Sequence, residues 1–302
     1  MSHTTETSRA RPRSQEPSSG WFTIPAPLAR LFKKFPLLTY PPNELPARSP
    51  DARDVPVLYV FISDEDALKG LPSFNPSCLK WQTFLKLAGI DFRLRPSNNH
   101  ASPTGALPFL LPPSTPSDLK PQRPVLSNKL EQYGLDNAKS KLSGNLGTKI
   151  DAYESLLDHR IRNAWLYTLY LSPANTALLT QLYVAPTTSS SPVRATILYQ
   201  LRHAAESEIL KSTSRDFINP PDLYKGAKEA FQALDAVLAD GEWFFGSSAP
   251  GLFDATVFSY THLVLLDELP WENRRMSDIL NEFPRLVDHR NRIFKRCWIA
   301  ST

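Results

Sequence analysis

The pattern of hydrophobic and polar positions changes four times along the 302-residue chain, and each change predicts a boundary. Residues 1–20 are polar and basic, whereas residues 21–54 mix prolines with large apolar side chains. Residues 55–134 contain short apolar runs typical of strands beside helical periodicity, residues 135–147 are poor in apolar groups, and residues 148–302 repeat apolar positions every three to four residues. The chain is therefore predicted to contain a disordered tail, an apolar arm, an α/β domain, a linker and an all-helical domain.

The arm carries more large apolar side chains than a proline-punctuated segment can bury by itself. Leu28, Leu31, Phe32 and Phe35 follow the i, i+3, i+4, i+7 spacing of a short amphipathic helix. The arm is expected to bury this surface either along the protein's own body or on a partner protein or membrane surface. The candidate docking residues are Trp21, Phe22, Leu28, Leu31, Phe32, Phe35, Leu38 and Tyr40.

In the α/β domain, the order of apolar runs and turn signals predicts a strand–helix–strand unit followed by two strands and a helix. The first strand is predicted at residues 55–61, the helix opens at Asn75, and the second strand covers residues 90–95. Leu107-Pro108 leads into the third strand, and Ser127 is predicted to cap the last helix of the domain.

From residue 148 onwards the apolar spacing predicts helices almost throughout. One face of a long first helix is traced by Ile150, Tyr153, Leu156, Leu157, Ile161, Trp165 and Leu169. A second face runs from Leu223 to Leu238, and further helices are predicted at residues 174–184, 193–211, 252–266 and 284–298.

The net charge of the chain, +4, comes from its first fifty residues, which hold seven Lys or Arg against three Asp or Glu. The remaining residues are neutral overall, so a basic nucleic-acid-binding surface on the body is not expected. The two cysteines, Cys78 and Cys297, fit a reducing compartment. No apolar run approaches the roughly 20 residues of a transmembrane helix, and no secretory signal is expected. The six histidines show no metal-ligand spacing, so no metal site is predicted.

The segment Asn75-Pro76-Ser77-Cys78, which follows a strand and opens a helix, resembles the thioredoxin-like half-domain of thiol enzymes. In those enzymes a nucleophilic cysteine opens a Cys-x-x-Cys turn, where the helix N-terminus stabilises the thiolate. Here Asn75 holds the nucleophile position, and Cys78 holds the second, usually buried, position. The resemblance implies a degenerate site in which Cys78 is a core residue rather than a redox thiol.

Two further elements resemble the ligand site of the glutathione transferases. In thioredoxin-like folds the X-Pro bond before the third strand is cis, which favours cis at Pro108, the alternative being a trans proline that starts an edge strand. Ser127, Leu130 and Tyr133 resemble the element Glu-Ser-x-x-Ile-x-x-Tyr that holds the γ-glutamyl end of glutathione, but Leu126 replaces its acid. The degenerate ligand site therefore comprises Asn75, Cys78, Pro108 and Ser127, and no cofactor is expected.

Two features of the helical domain are interpreted as structural. The run Gly251-Leu252-Phe253-Asp254 resembles the helix-capping box of the transferase family, with Asp254 still able to accept from the N-cap amide. Five basic residues make one face of the last helix positive, which is usually a solvated face and otherwise a surface for anionic lipid or an acidic partner: Arg285, Arg290, Arg292, Lys295 and Arg296.

Taken together, residues 55–298 resemble the glutathione-transferase architecture, an α/β thioredoxin-like N-terminal domain plus an all-α C-terminal domain. Within it, the chain resembles the metaxins, and most closely the fungal metaxin-like receptor subunit of the mitochondrial sorting and assembly machinery. Three runs carry this resemblance: residues 76–89 (PSCLKWQTFLKLAG), 98–109 (NNHASPTGALPF) and, in the arm, 35–46 (FPLLTYPPNELP).

The metaxin resemblance implies a non-enzymatic, peripheral protein on the cytosolic face of the mitochondrial outer membrane. It implies three partners: a membrane β-barrel subunit of that machinery, a second metaxin-like subunit, and the sorting signals of β-barrel precursors. An unpaired strand edge near Pro108 is a further candidate for receiving an extended peptide. The alternatives are a glutathione transferase or thiol-transfer enzyme, and a soluble scaffold of the same fold.

Overall fold

The computed structural model describes residues 53–114, 123–143, 148–239 and 241–299. The predicted tail and almost all of the predicted arm lie outside the described residues. The same holds for the eight candidate docking residues, namely Trp21, Phe22, Leu28, Leu31, Phe32, Phe35, Leu38 and Tyr40.

The α/β domain contains a four-stranded sheet with the order β2-β1-β3-β4. Strand β1 (Val57–Val60) pairs in parallel with β2 (Arg93–Pro96) and antiparallel with β3 (Phe109–Leu111), which in turn pairs antiparallel with β4 (Val125–Leu126). The first two observed strands are shorter than predicted. The apolar side chains of β1 nevertheless face the core as the pattern indicated, with Leu58 and Val60 fully buried.

Three helices accompany the sheet: α1 (Asp64–Lys69), α2 (Pro76–Leu87) and α3 (Leu130–Asp136). Helix α1 was missed because it buries none of its residues and therefore shows no apolar periodicity. The predicted opening of α2 at Asn75 is confirmed, since the Asn75 side chain accepts from the Cys78 backbone N–H at 3.2 Å.

The predicted cap at Ser127 is wrong. Ser127 is the first residue of a 3-10 turn (Ser127–Lys129) that follows Leu126 and precedes α3, and no side-chain hydrogen bond caps this turn or α3. The linker was predicted to begin at residue 135, but it begins later, because α3 continues to Asp136. Residues 137–143 have no regular secondary structure, but hydrogen bonds attach them to the rest of the protein. Lys139 N donates to Ala88 O at 2.8 Å, and Ser143 N donates to Pro250 O at 3.0 Å.

The helical domain begins with one continuous helical segment made of α4 (Thr148–Leu156), a π turn (Leu157–Ile161), α5 (Arg162–Leu166) and a second π turn (Tyr167–Leu171). The predicted helix at 174–184 is likewise composite: a 3-10 turn (Pro173–Asn175), α6 (Thr176–Leu179) and a π turn (Thr180–Val184). The π turns place one extra residue per turn, which apolar spacing alone does not distinguish from an α-helix.

The remaining helices are α7 (Ser191–Thr213), α8 (Pro220–Leu238), α9 (Leu252–Val264), α10 (Arg275–Asn281) and α11 (Pro284–Phe294), the last extended by a π turn (Lys295–Ile299). Helix α10 was not predicted. In the part of the chain that the structure describes, none of the helices combines the length and apolar character needed to cross a bilayer.

Asp254 fixes the start of α9, as its sequence position predicted. Its Oδ2 accepts from the Gly251 N–H at 2.9 Å, while its Oδ1 accepts from the Phe244 N–H at 3.1 Å and from His289 Nε2 at 3.0 Å. The carboxylate is 2% exposed, so this one side chain joins the segment before α9, α9 itself and α11 inside the core.

The basic face of the last helix is packed rather than simply solvated. Arg292 donates to Glu242 O at 2.6 Å, Arg290 lies 5.3 Å from the Phe294 ring centroid, and Arg285 pairs with Asp235 at 3.4 Å. At the end of this segment Trp298 Nε1 donates to Gly70 O at 3.1 Å, which connects the π turn Lys295–Ile299 to the α/β domain.

Candidate functional site

The start of α2, where a thiol enzyme would hold its nucleophile, is occupied by Asn75. Its Oδ1 caps the helix as described above, and its Nδ2 donates to the Tyr183 hydroxyl at 3.0 Å. Its backbone N–H donates to Ser73 Oγ at 3.2 Å, and the Ser73 hydroxyl in turn donates to Phe61 O. Both ends of the amide therefore serve the fold, and the position offers no nucleophile.

Aromatic side chains fill the space beside Asn75. Tyr183, from the π turn Thr180–Val184, meets Phe61 with ring centroids 5.3 Å apart and Phe74 at 5.2 Å, both edge to face. Tyr170 completes the group at 5.8 Å from Tyr183. Burial raises the pKa of Tyr183 well above its ordinary value, so its hydroxyl stays protonated and acts as the acceptor for Asn75. We call Asn75 and these four rings the aromatic plug.

Cys78 lies behind the plug, fully buried in the first turn of α2. Burial raises the pKa of the Cys78 thiol to about 12, although it sits at a helix N-terminus that would favour the thiolate. The thiol is therefore protonated at pH 7. The residue therefore has the character of an inert core side chain.

The Leu107–Pro108 peptide bond is cis, which agrees with the state that the sequence favoured. The backbone beside it is not open, because Leu107 N–H donates to the Asn99 side-chain oxygen at 3.1 Å. Strand β3, which Pro108 precedes, lies inside the sheet between β1 and β4. The hypothesis of an unpaired strand edge near Pro108 that receives a peptide is therefore wrong at this amide.

The structure brings together only part of the predicted degenerate site. Asn75 and Cys78 share the first turn of α2, and Pro108 opens β3 in the same domain. Within the described ranges, no hydrogen bond joins Ser127 to Asn75 or Cys78. Sequence reasoning missed Tyr183, which lies 108 positions from Asn75, and Asn99, whose only signal was its place in the polar run before Pro108.

The described residues contain no group of three His, Cys, Asp or Glu side chains placed to hold a metal ion. His289 is engaged by Asp254, and His262 is enclosed between Phe258 and Phe294, with ring centroids at 4.9 and 5.1 Å. Burial, followed by the charge of Arg290, lowers the pKa of His262 to about 3. Both histidines are thus part of the helical core.

Comparisons with known proteins agree with this architecture. The sequence profile of the glutathione S-transferase N-terminal domain matches residues 76–175, and that of the glutathione S-transferase C-terminal domain matches residues 227–293. Together with the four-stranded sheet and the helical second half, these matches confirm the predicted α/β thioredoxin-like domain, all-α domain and glutathione-transferase-like architecture.

Similar curated proteins are metaxins. Metaxin-1 from Mus musculus is 28% identical over 207 residues, which cover 67% of this chain and 64% of that protein. Metaxin-3 from Xenopus laevis is 29% identical over 202 residues, which cover 63% of this chain and 62% of that protein. The chain thus matches somewhat less than two thirds of the length of these relatives.

Similar solved structures include glutaredoxin 2 from Salmonella typhimurium in complex with glutathione, with a TM-score of 0.49 and 18% identity. The aligned part covers 82% of this chain and 96% of that chain. Another is a glutathione S-transferase from Ceriporiopsis subvermispora in complex with glutathione, with a TM-score of 0.46 and 14% identity, covering 77% of this chain and 98% of that chain.

Proposed function

We propose, for a chain that is related to the metaxins and carries two glutathione-S-transferase-like domains, a non-catalytic role in protein import at the mitochondrial outer membrane. More specifically, we propose a peripheral subunit of the sorting and assembly machinery, of the fungal metaxin-like receptor type, on the cytosolic face. It would assist the recognition, insertion and folding of β-barrel precursors. The relatives support the family-level role, and the geometry of the former ligand site supports the absence of catalysis.

The observation that carries the proposal is the double engagement of Asn75. A missing nucleophile alone would leave an empty binding cleft, whereas here the amide caps α2 and bonds Tyr183 of the other domain. Asn99 engages the Leu107 N–H in addition. The groups that would bind glutathione instead form hydrogen bonds within the protein, which is what we expect of a rigid platform for protein partners.

The proposed partners are a membrane β-barrel subunit, a second metaxin-like subunit and the sorting signals of precursors. The proposed contact with the membrane barrel is the arm, residues 21–46, because its apolar side chains need a second surface to be buried. Deleting residues 21–46 is expected to abolish co-purification with the barrel subunit. Deleting residues 2–20, which lack this apolar character, is the matched control and should leave the complex intact.

Fractionation of mitochondria tests location and mode of attachment together. The protein is expected in the outer-membrane fraction, to resist moderate salt and to be released by alkaline carbonate, as a peripheral protein is. Recovery in the soluble fraction in cells with an intact membrane machinery would favour the scaffold alternative instead.

A glutathione-dependent enzyme is the second candidate, and the matches to both transferase domains favour it. It requires glutathione binding and an activity that depends on Ser77 or Cys78. Because the Asn75 amide and the Leu107 N–H are already engaged within the fold, calorimetric titration with glutathione is expected to give no saturable heat. Saturable binding that a Tyr183→Phe variant changes would place glutathione at the plug and contradict the non-catalytic proposal.

A further inference from the structure

We propose that a groove on the helical domain binds a phosphate monoester group. The groove lies between the first π turn (Leu157–Ile161) and the facing ends of α7 and α8, and its volume is about 420 Å³. Clefts of this size commonly hold small ligands. Its polar lining consists mainly of Ser155, His159, Arg160, Ser212, Arg215 and Asp222. We call it the phosphate groove.

A hydrogen-bond network holds the ring of His159 in place. Asn163 is fully buried, and its Nδ2 donates to His159 O at 2.7 Å and to Ser212 Oγ at 2.9 Å. The first of these contacts sets the orientation of the amide, because a backbone carbonyl only accepts. Ser212 Oγ also lies 3.1 Å from His159 Nδ1, so this contact uses the Nδ1 side of the ring. Among the hydrogen bonds of the described residues, the His159 ring takes part only through Nδ1, which leaves Nε2 for a ligand.

Arg160 is held against α8 and forms only a long ion pair with Glu229. Its Nη1 lies 3.9 Å from Glu229 Oε2, which is beyond hydrogen-bond length. A Cβ atom at Gly226 would lie 3.1 Å from Nη1 and 3.2 Å from Cδ of Arg160. The guanidinium thus rests where a side chain on α8 would otherwise be, and its N–H groups are available to a bound anion.

Arg215 contributes a second guanidinium. It pairs with Asp222 through Nη1, 2.5 Å from Oδ2, but a guanidinium has five N–H donors. The lining therefore presents two guanidinium groups, each with N–H donors beyond those that face Asp222 and Glu229, in addition to His159. A phosphate monoester, with charge near −2 and three acceptor oxygens, uses several separate donors better than a carboxylate does. The lining contains no Phe, Tyr or Trp to stack on a base, so a small phosphate group fits better than a nucleotide.

Calorimetric titration of the full chain with inorganic phosphate, against chloride at equal ionic strength, tests the proposal. Saturable binding with a Kd on the order of 1 mM is expected for a site open to solvent. Arg160→Gln should weaken it at least tenfold. Arg285→Gln, which removes an ion-paired arginine outside the groove, should leave it unchanged. Absence of saturable binding above chloride, or equal affinity in Arg160→Gln, would overturn the proposal.

Gly226→Ala provides a test that keeps every charge. The added methyl group displaces the Arg160 side chain, while alanine favours the helix over glycine, so the fold is retained. A severalfold loss of phosphate affinity is expected, and unchanged affinity in both variants would place the anion elsewhere.

The same phosphate chemistry occurs in soluble phosphorylated compounds and in the headgroup of phosphatidic acid. Flotation with phosphatidylcholine vesicles, with and without phosphatidic acid, distinguishes these sources. Binding only to the anionic vesicles, lost in Arg160→Gln and competed by free phosphate, assigns the groove to the headgroup. Phosphate binding without vesicle binding assigns it to a soluble ligand.

Discussion

The aromatic plug and the phosphate groove differ in how their hydrogen-bonding groups are used. At the plug, each polar group of Asn75 is paired with another part of the chain. At the groove, His159, Arg160 and Arg215 keep donors that the fold does not use. A polar site is therefore judged by the donors left over after folding, more than by the residue types that line it.

The largest expected effect follows from opening the plug. Tyr183→Ala should lower the free energy of unfolding by about 4 kcal/mol, because it removes a buried ring and leaves the Asn75 amide without its acceptor. Urea unfolding measures this change. Tyr199→Ala is the matched control, since Tyr199 is 69% exposed and should change stability by no more than about 0.5 kcal/mol. Equal effects would mean that the plug is not a structural unit.

A second prediction concerns the enclosed ring of His262, with the exposed ring of His203 as its control. The pKa of His262 is lowered from 6.5 to about 3 in the folded protein, so below pH 6.5 the unfolded chain takes up a proton that the folded chain does not. This residue's contribution to stability should therefore decrease by about 2 kcal/mol between pH 6.5 and 4.5.

His262→Phe keeps an aromatic ring between Phe258 and Phe294 and removes the titrating group. Urea unfolding at pH 7.5, 6.5, 5.5 and 4.5 should show a shallower loss of stability in this variant than in the parent chain. His203→Phe serves as the control, since His203 is exposed. Parallel pH profiles for the parent chain and His262→Phe would contradict the assignment of His262 as a buried neutral ring.

The third prediction concerns the single amide that closes the former ligand site. Asn75→Ala should cost about 2 kcal/mol, about half from the lost helix cap and half from the Tyr183 hydroxyl left without its donor. A double-mutant cycle with Tyr183→Phe isolates the second part, for which a coupling of about 1 kcal/mol is expected. Strict additivity would show that no hydrogen bond links the two side chains.

The smallest stability effect is expected at the groove. Arg160→Gln should change the free energy of unfolding by less than about 0.5 kcal/mol, because its side chain is 54% exposed and its contact with Glu229 is long. A loss of phosphate binding together with this small stability change would separate a binding site from a structural one. A large destabilisation would assign Arg160 to the fold.

Much of the fold could be predicted from local pattern. The succession of strands along the chain follows from local apolar runs and turn signals. The opening of α2 and the role of Asp254 likewise depend on neighbouring residues, because each capping side chain accepts from an amide three positions away. The ends of strands and the π turns were missed, because tertiary packing decides them.

The site was harder to predict than the fold. Replacement of the nucleophile by Asn75 is visible in the sequence, but its pairing with Tyr183 spans 108 positions, and nothing local signals it. The groove gave no sequence signal either, since His159, Ser212 and Arg215 come from separate helices or turns. Side chains that meet only after the helices pack are invisible to periodicity.

The hydrogen bond from Trp298 to Gly70 spans 228 positions and has a consequence for synthesis on the ribosome. The α/β domain emerges first, yet one of its turns obtains its partner only when the last helical segment has left the exit tunnel. A stop codon at position 298 would leave both cysteines in place while removing the indole that donates to the Gly70 carbonyl. A single indole thus separates a nascent chain that can form this contact from one that cannot.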